Sequence, residues 1–77
     1  MTTFEKAVLD ILSRSSGALG WYQIERRLAN MALPERPYLP GVLTRMMEQG
    51  LIEETSFRLE LLVRCLITQA GRDRLKK

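Results

Sequence analysis

The run from Tyr38 to Glu54, YLPGVLTRMMEQGLIEE, constrains the fold more than any other stretch of the 77 residues. Counting back from Gly50, apolar residues stand at Met46, Leu43 and Leu39, spacings of three and four that mark one buried face of a helix. Gly50 occupies the place where a helix closes through a left-handed residue. Leu51 and Ile52 follow at once and open a strand-like run that carries the acidic pair Glu53-Glu54. A chain that passes from helix to strand through one glycine has little freedom in how the two elements lie.

Upstream, Thr2-Thr3-Phe4-Glu5 reads as a capping box, with Thr2 at the N-cap and Glu5 three residues on. Phe4, Ala7, Val8, Ile11 and Leu12 then recur at helical spacing, predicting a helix over about 3–14 with Glu5, Lys6, Asp10 and Arg14 outside. Ser15-Ser16-Gly17 ends it. A second stripe, Trp21, Ile24 and Leu28 with Met31 or Ala32, predicts a helix from about 21 to 31 whose Glu25, Arg26 and Arg27 face outward. Leu33 to Pro37 forms the turn that follows. Prolines 37 and 40 place the start of the third helix near Pro37 or Tyr38, with an irregular first turn, because proline is tolerated only where amides lack partners. That helix should end at Gln49.

Beyond Gly50 the period changes. A strand over about 51–57, a tight turn at Arg58-Leu59-Glu60 and a second strand over about 61–67 are expected. On the second strand Leu61, Val63, Cys65 and Ile67 alternate with Leu62, Arg64 and Leu66. One set must face the helices, which leaves Leu62 and Leu66 as apolar surface on the other side. Thr68 caps a short last helix, Gln69 to about Leu75.

Three segments resemble the winged-helix regulators of the MarR and PadR type. One is the passage from a Gly-closed helix into Leu51-Ile52 and the acidic pair. The stretch Gly20-Trp21-Tyr22-Gln23-Ile24-Glu25-Arg26-Arg27-Leu28 is similar to the Gly-Tyr-x-Ile-x-x-x-Leu opening of the PadR second helix. Ile67-Thr68-Gln69-Ala70-Gly71-Arg72 resembles the Leu-Thr-x-x-Gly-Arg/Lys segment after the wing. The resemblance covers nearly the whole chain. It implies an α+β winged helix-turn-helix: a three-helix core, a two-stranded β-wing and a short C-terminal helix, in one domain over residues 1–77. It also implies a very short strand just before the second helix. In those families the next helix commonly builds the dimer; with the sequence stopping at Lys77, that element is expected to be missing or replaced. The predicted core is Phe4, Val8, Ile11, Leu12, Trp21, Ile24, Leu28, Leu39, Leu43 and Met46, covered by Val63, Cys65 and Ile67 from the wing.

Composition narrows function. There is no histidine and a single cysteine, so neither an internal disulfide nor a zinc site of N/S ligands is expected within one chain, and no metal or cofactor is expected at all. General acid–base work usually wants His or paired buried carboxylates. Glu53 and Glu54 are adjacent on a strand and point to opposite sides, and Cys65 lies on an apolar strand with no His to activate it. No catalytic residue is therefore assigned. No apolar run approaches the roughly 20 residues of a membrane span, and no signal pattern heads the chain, so a soluble cytoplasmic protein is expected. So short a chain leaves little room for an effector domain, and no small-molecule effector is inferred.

The net charge is +3, and arginine supplies most of the twelve basic residues. Arginine suits phosphates and guanine edges. Once the buried stripe is set aside, the third helix offers Arg36, Tyr38, Pro40, Gly41, Thr44, Arg45 and Glu48. Arg45 could pair with guanine, Thr44 could reach a base or phosphate, and Gly41 would permit close backbone approach. Arg26, Arg27 and Arg58 at the wing tip could hold flanking phosphates. The bland alternatives are a solvated basic face on the second helix and an Arg45–Glu48 pair along the third. The family resemblance implies a DNA-binding transcriptional regulator, a homodimer on double-stranded DNA. The alternative is a protein-interaction module docking a partner through Leu59, Leu62 and Leu66.

Overall fold

A computed structural model describes residues 2–15, 17–55 and 64–76. The first helix, α1, spans Thr3–Arg14 and begins in the expected capping box: the Thr2 amide donates to Glu5 Oε1 and the Glu5 amide to Thr2 Oγ1, both at 3.1 Å. Two residues of strand, β1 (Leu19–Gly20), lead directly into α2 (Trp21–Ala29), where the Gln23 side chain accepts the Gly20 amide at 2.9 Å. After an extended loop comes α3 (Leu39–Glu48), with Pro40 in the first turn, where a missing N–H costs nothing. Its first turn is regular helix, so the expected irregularity is confined to the loop before it.

Gly50 closes α3 at φ +75°. Its amide bonds the Met47 carbonyl and the Leu51 amide bonds the Met46 carbonyl, both at 3.0 Å, the paired pattern of a Schellman turn. Strand β2 (Ile52–Thr55) follows and pairs antiparallel with β3 (Arg64–Ile67). The sheet has three strands in the order β1-β3-β2, because Leu19 and Gly20 pair with Cys65 and Arg64. The second wing strand, β3, is therefore the central strand of a small sheet whose outer strand β1 holds the chain between α1 and α2.

The last helix, α4 (Gln69–Leu75), is bolted to the end of α3. The Thr68 hydroxyl donates to the Gly50 carbonyl at 2.6 Å and accepts the Gly71 amide at 3.1 Å, while the Thr68 amide reaches the Leu51 carbonyl at 3.1 Å. Gly71 makes this closeness possible: a Cβ there would lie within 2.8 Å of Ile67 Cγ1 and collide with the Leu51 carbonyl oxygen. The Thr-x-x-Gly spacing is thus the geometry of one joint.

The buried apolar cluster contains the expected Phe4, Val8, Ile11, Leu12, Ile24, Leu28, Leu39, Leu43, Met46 and Cys65. It adds Leu9, Leu19, Val42, Leu51 and Ile52, while Ile67 is partly buried against it. Leu9 and Val42 enter because α1 meets α2, α4 and β3 at once, and α3 meets both α2 and β2. Trp21 is a correction: it is 41% exposed, since at the first position of α2 its ring hangs past the end of the core rather than over it. Glu5 is a second: expected outside, it is 8% exposed because its carboxylate folds back to cap Thr2. The second helix also stops at Ala29, short of the stripe's Met31. Leu61, Val63 and the wing turn lie outside the described residues.

Candidate nucleic-acid interface

The residues of α3 that face away from the core are Gly41, Thr44, Arg45 and Glu48, all exposed, with Tyr38 at the N-cap exposed above them. They form one stripe because Leu39, Val42, Leu43 and Met46 hold the opposite side in the core. The stripe is chemically mixed. The Thr44 hydroxyl donates to the Pro40 carbonyl at 2.9 Å, so its proton is committed within the helix. Arg45 makes no ion pair with Glu48 among the described residues, whereas Arg14 pairs with Asp10 at 3.2 Å on α1.

Arg45 also lines a cleft of about 410 Å³ with Thr2, Glu5 and the loop prolines Pro34 and Pro37. Its charge reaches Glu5. The Thr2 amide bond holds the Glu5 carboxyl below the usual carboxylate range; burial opposes it, and the Arg45 charge adds to the lowering.

Arg36 has a structural task. Its guanidinium donates to the Leu28 carbonyl at 3.2 Å and the Met31 carbonyl at 2.7 Å, a second donor for carbonyls that also accept the Met31 and Leu33 amides, and so pins the loop that enters α3 to the end of α2. Sequence spacing could not show this, because an arginine eight residues past its acceptor carries no periodic signal. Arg26 and Arg27 are exposed and share a shallow cleft with Gln23 and Asn30 on α2. The edge of α2 nearer the start of α3 carries Trp21, Glu25 and Ala29. The arginine pair and Arg45 therefore line different clefts.

On the wing side, Glu54 shares a small cleft with Trp21, Thr44, Met47 and Cys65. Burial, and then Glu54, push the Cys65 thiol up, which makes it a poor nucleophile. Leu66 pairs with Glu53 on the face of the sheet opposite Cys65 and is half-buried. Arg58, Leu59 and Leu62 lie outside the described residues. Among those that are described, no group of His, Cys, Asp and Glu is arranged to hold a metal ion, and no helix is long and apolar enough to cross a membrane.

No protein-family model and no curated protein matches the chain. Solved structures do match. A PadR family transcription regulator from Clostridium difficile superposes with a TM-score of 0.80 and 18% identity, covering 97% of this chain and 81% of that one. The fold is the winged helix of the PadR and MarR type. A probable transcriptional regulator from Pseudomonas aeruginosa gives a TM-score of 0.78 and 25% identity over 99% of this chain. A reported archaeal mechanosensitive channel, described as a structural homolog of MarR-like transcriptional regulators, gives 0.72 and 22% over 99%. The winged helix here spans 54% of the Pseudomonas chain and 61% of the archaeal one.

Proposed function

We propose that this winged helix is a DNA-binding transcriptional regulator of the cytoplasm, working without catalysis. In this reading α3 lies in the major groove, with α2 and the wing on the phosphate backbone. The observation that carries it is the stripe Tyr38, Gly41, Thr44, Arg45 and Glu48, held outward on a helix fixed at both ends by Arg36 before it and the Gly50–Thr68 joint after it. In helix-turn-helix docking the N-terminal residues of this helix meet base edges while the preceding helix crosses the backbone. Arg45 is the guanine reader, and Arg26 and Arg27 are flanking phosphate contacts. Two copies related by a two-fold axis would read half-sites about 34 Å apart, one turn of DNA. The transcription regulators that share the fold support the same assignment.

The direct test compares wild type with a combined Arg26→Ala, Arg27→Ala, Arg45→Ala variant on a labelled random-sequence duplex. All three side chains are exposed, so the thermal midpoint should hold within a few degrees. Binding should weaken roughly 10-fold or more, because phosphate neutralisation supplies most of the non-specific affinity. Equal binding by the two proteins would remove the arginines from the interface.

A further inference from the structure

Tyr38 is the most exposed of the large apolar side chains among the described residues, at 79%. It stands at the N-cap of α3 with φ −64° and ψ 110°, and its side chain makes no capping bond. Ser, Thr, Asp or Asn would stabilise that position. Tyr38 neither caps the helix nor enters the core.

The ring is nevertheless placed. Its Cδ2 lies 3.7 Å from where a Cβ on Gly41 would stand, an ordinary van der Waals distance, so the ring rests along the outward stripe over the missing side chain. The backbone that carries it is stiff. Pro37 and Pro40 each fix a φ angle and restrict the residue before them, Arg36 and Leu39. Arg36 in turn is tied to two carbonyls at the end of α2. An aromatic ring held this way loses little freedom on meeting a partner.

We propose that Tyr38 reads the 5-methyl group of thymine in the major groove. The inference rests on the DNA-binding reading above and adds a base preference to it. Tyr38 heads the helix whose N-terminal residues meet base edges. Among the groups a base pair shows in that groove, the thymine methyl is the apolar one. The ring face covers it while the hydroxyl at the tip stays with water or phosphate. Tyr38 is thus a specificity-determining residue about two turns ahead of Arg45.

The test uses the full chain and two duplexes of alternating dA-dT sequence, one of them with deoxyuridine in place of every thymidine. Wild type, Tyr38→Phe and Tyr38→Ala are titrated against both at low salt. Wild type and Tyr38→Phe should bind the uracil duplex about fourfold more weakly, the worth of one buried methyl group. Tyr38→Ala should bind both duplexes alike, with an unchanged thermal midpoint since the side chain is exposed. Equal binding of the two duplexes by wild type would overturn the role of Tyr38, as would an undiminished preference in Tyr38→Ala; both leave DNA binding standing. Wild type that binds neither duplex would overturn both.

Discussion

At Gly71 helix α4 runs so close to the turn after α3 that a methyl group would enter the Leu51 carbonyl oxygen. The oxygen is backbone and already accepts the Thr68 amide, so it has little room to move. Gly71→Ala is expected to cost about 1–3 kcal/mol, the range of overpacked interiors, and to lower the thermal midpoint by roughly 5 °C or more. A midpoint within a degree or two of wild type would show that α4 can slide. Glu5 sets a second expectation at this scale. Folding holds its carboxyl below the ordinary value of 4.5, chiefly through the Thr2 amide. The stability it contributes is therefore present above that value and is lost as pH falls through the lower, folded one. Urea midpoints followed from neutral to acid pH should fall more steeply for wild type than for Glu5→Gln, whose amide does not titrate. Identical acid limbs would mean that the capping carboxylate adds nothing. The Thr2–Glu5 pair was readable as a capping box, yet spacing placed Glu5 on the solvent face; the box itself is what folds it under.

Among the elements, the helices that carry a strong apolar period were legible, and those shaped by partners were not. Helix α1 and helix α3 come out of the sequence within a residue or two, because burial on one face leaves a 3.6-residue signature. What the period understates is the width of the buried arc. Leu9 is fully buried because α1 is surrounded on three sides, and Val42 because α3 lies between α2 and β2. Trp21 errs in the other direction, since a residue at a helix end can keep the period and miss the core. Strand β1 has two residues and no pattern of its own; only its pairing with Cys65 and Arg64 makes it a strand. Arg36 is the clearest case of a role that sequence spacing hides. Arg36→Met should keep the aliphatic stem but remove the second donor from the Leu28 and Met31 carbonyls, which keep the Met31 and Leu33 amides, costing about 1 kcal/mol. It should weaken duplex binding by more than any change at an exposed arginine of α2, because it loosens the entry to α3. Hydrogen exchange at the end of α2 would report the loosening directly, and unchanged exchange would count against the pinning role.

As a whole molecule, the chain joins its two halves through β3, which pairs with the strand before α2 on one side and with the strand after α3 on the other. That sheet, with the Gly50–Thr68 joint, fixes α3 from its C-terminal end while Arg36 fixes the loop at its start. The fold was legible because the helix–Gly–strand passage and the Thr-x-x-Gly joint are each local in sequence. The interface was legible only in part. Spacing identifies the residues of α3 that face outward, but it does not show that Arg26 and Arg27 line a different cleft from Arg45. Acidic groups border the stripe: Glu48 ends it, and Glu54 lines one cleft with Thr44. The measurement that tests the account most directly is fluorescence anisotropy of a labelled duplex against the protein at several salt concentrations. Binding should weaken linearly in log salt, with a slope equivalent to several phosphates, and Arg45→Ala, which removes a base contact, should leave that slope nearly unchanged, whereas a slope lowered by about 1 would place Arg45 on phosphate. No binding even at low salt would contradict the assignment of α3 to DNA.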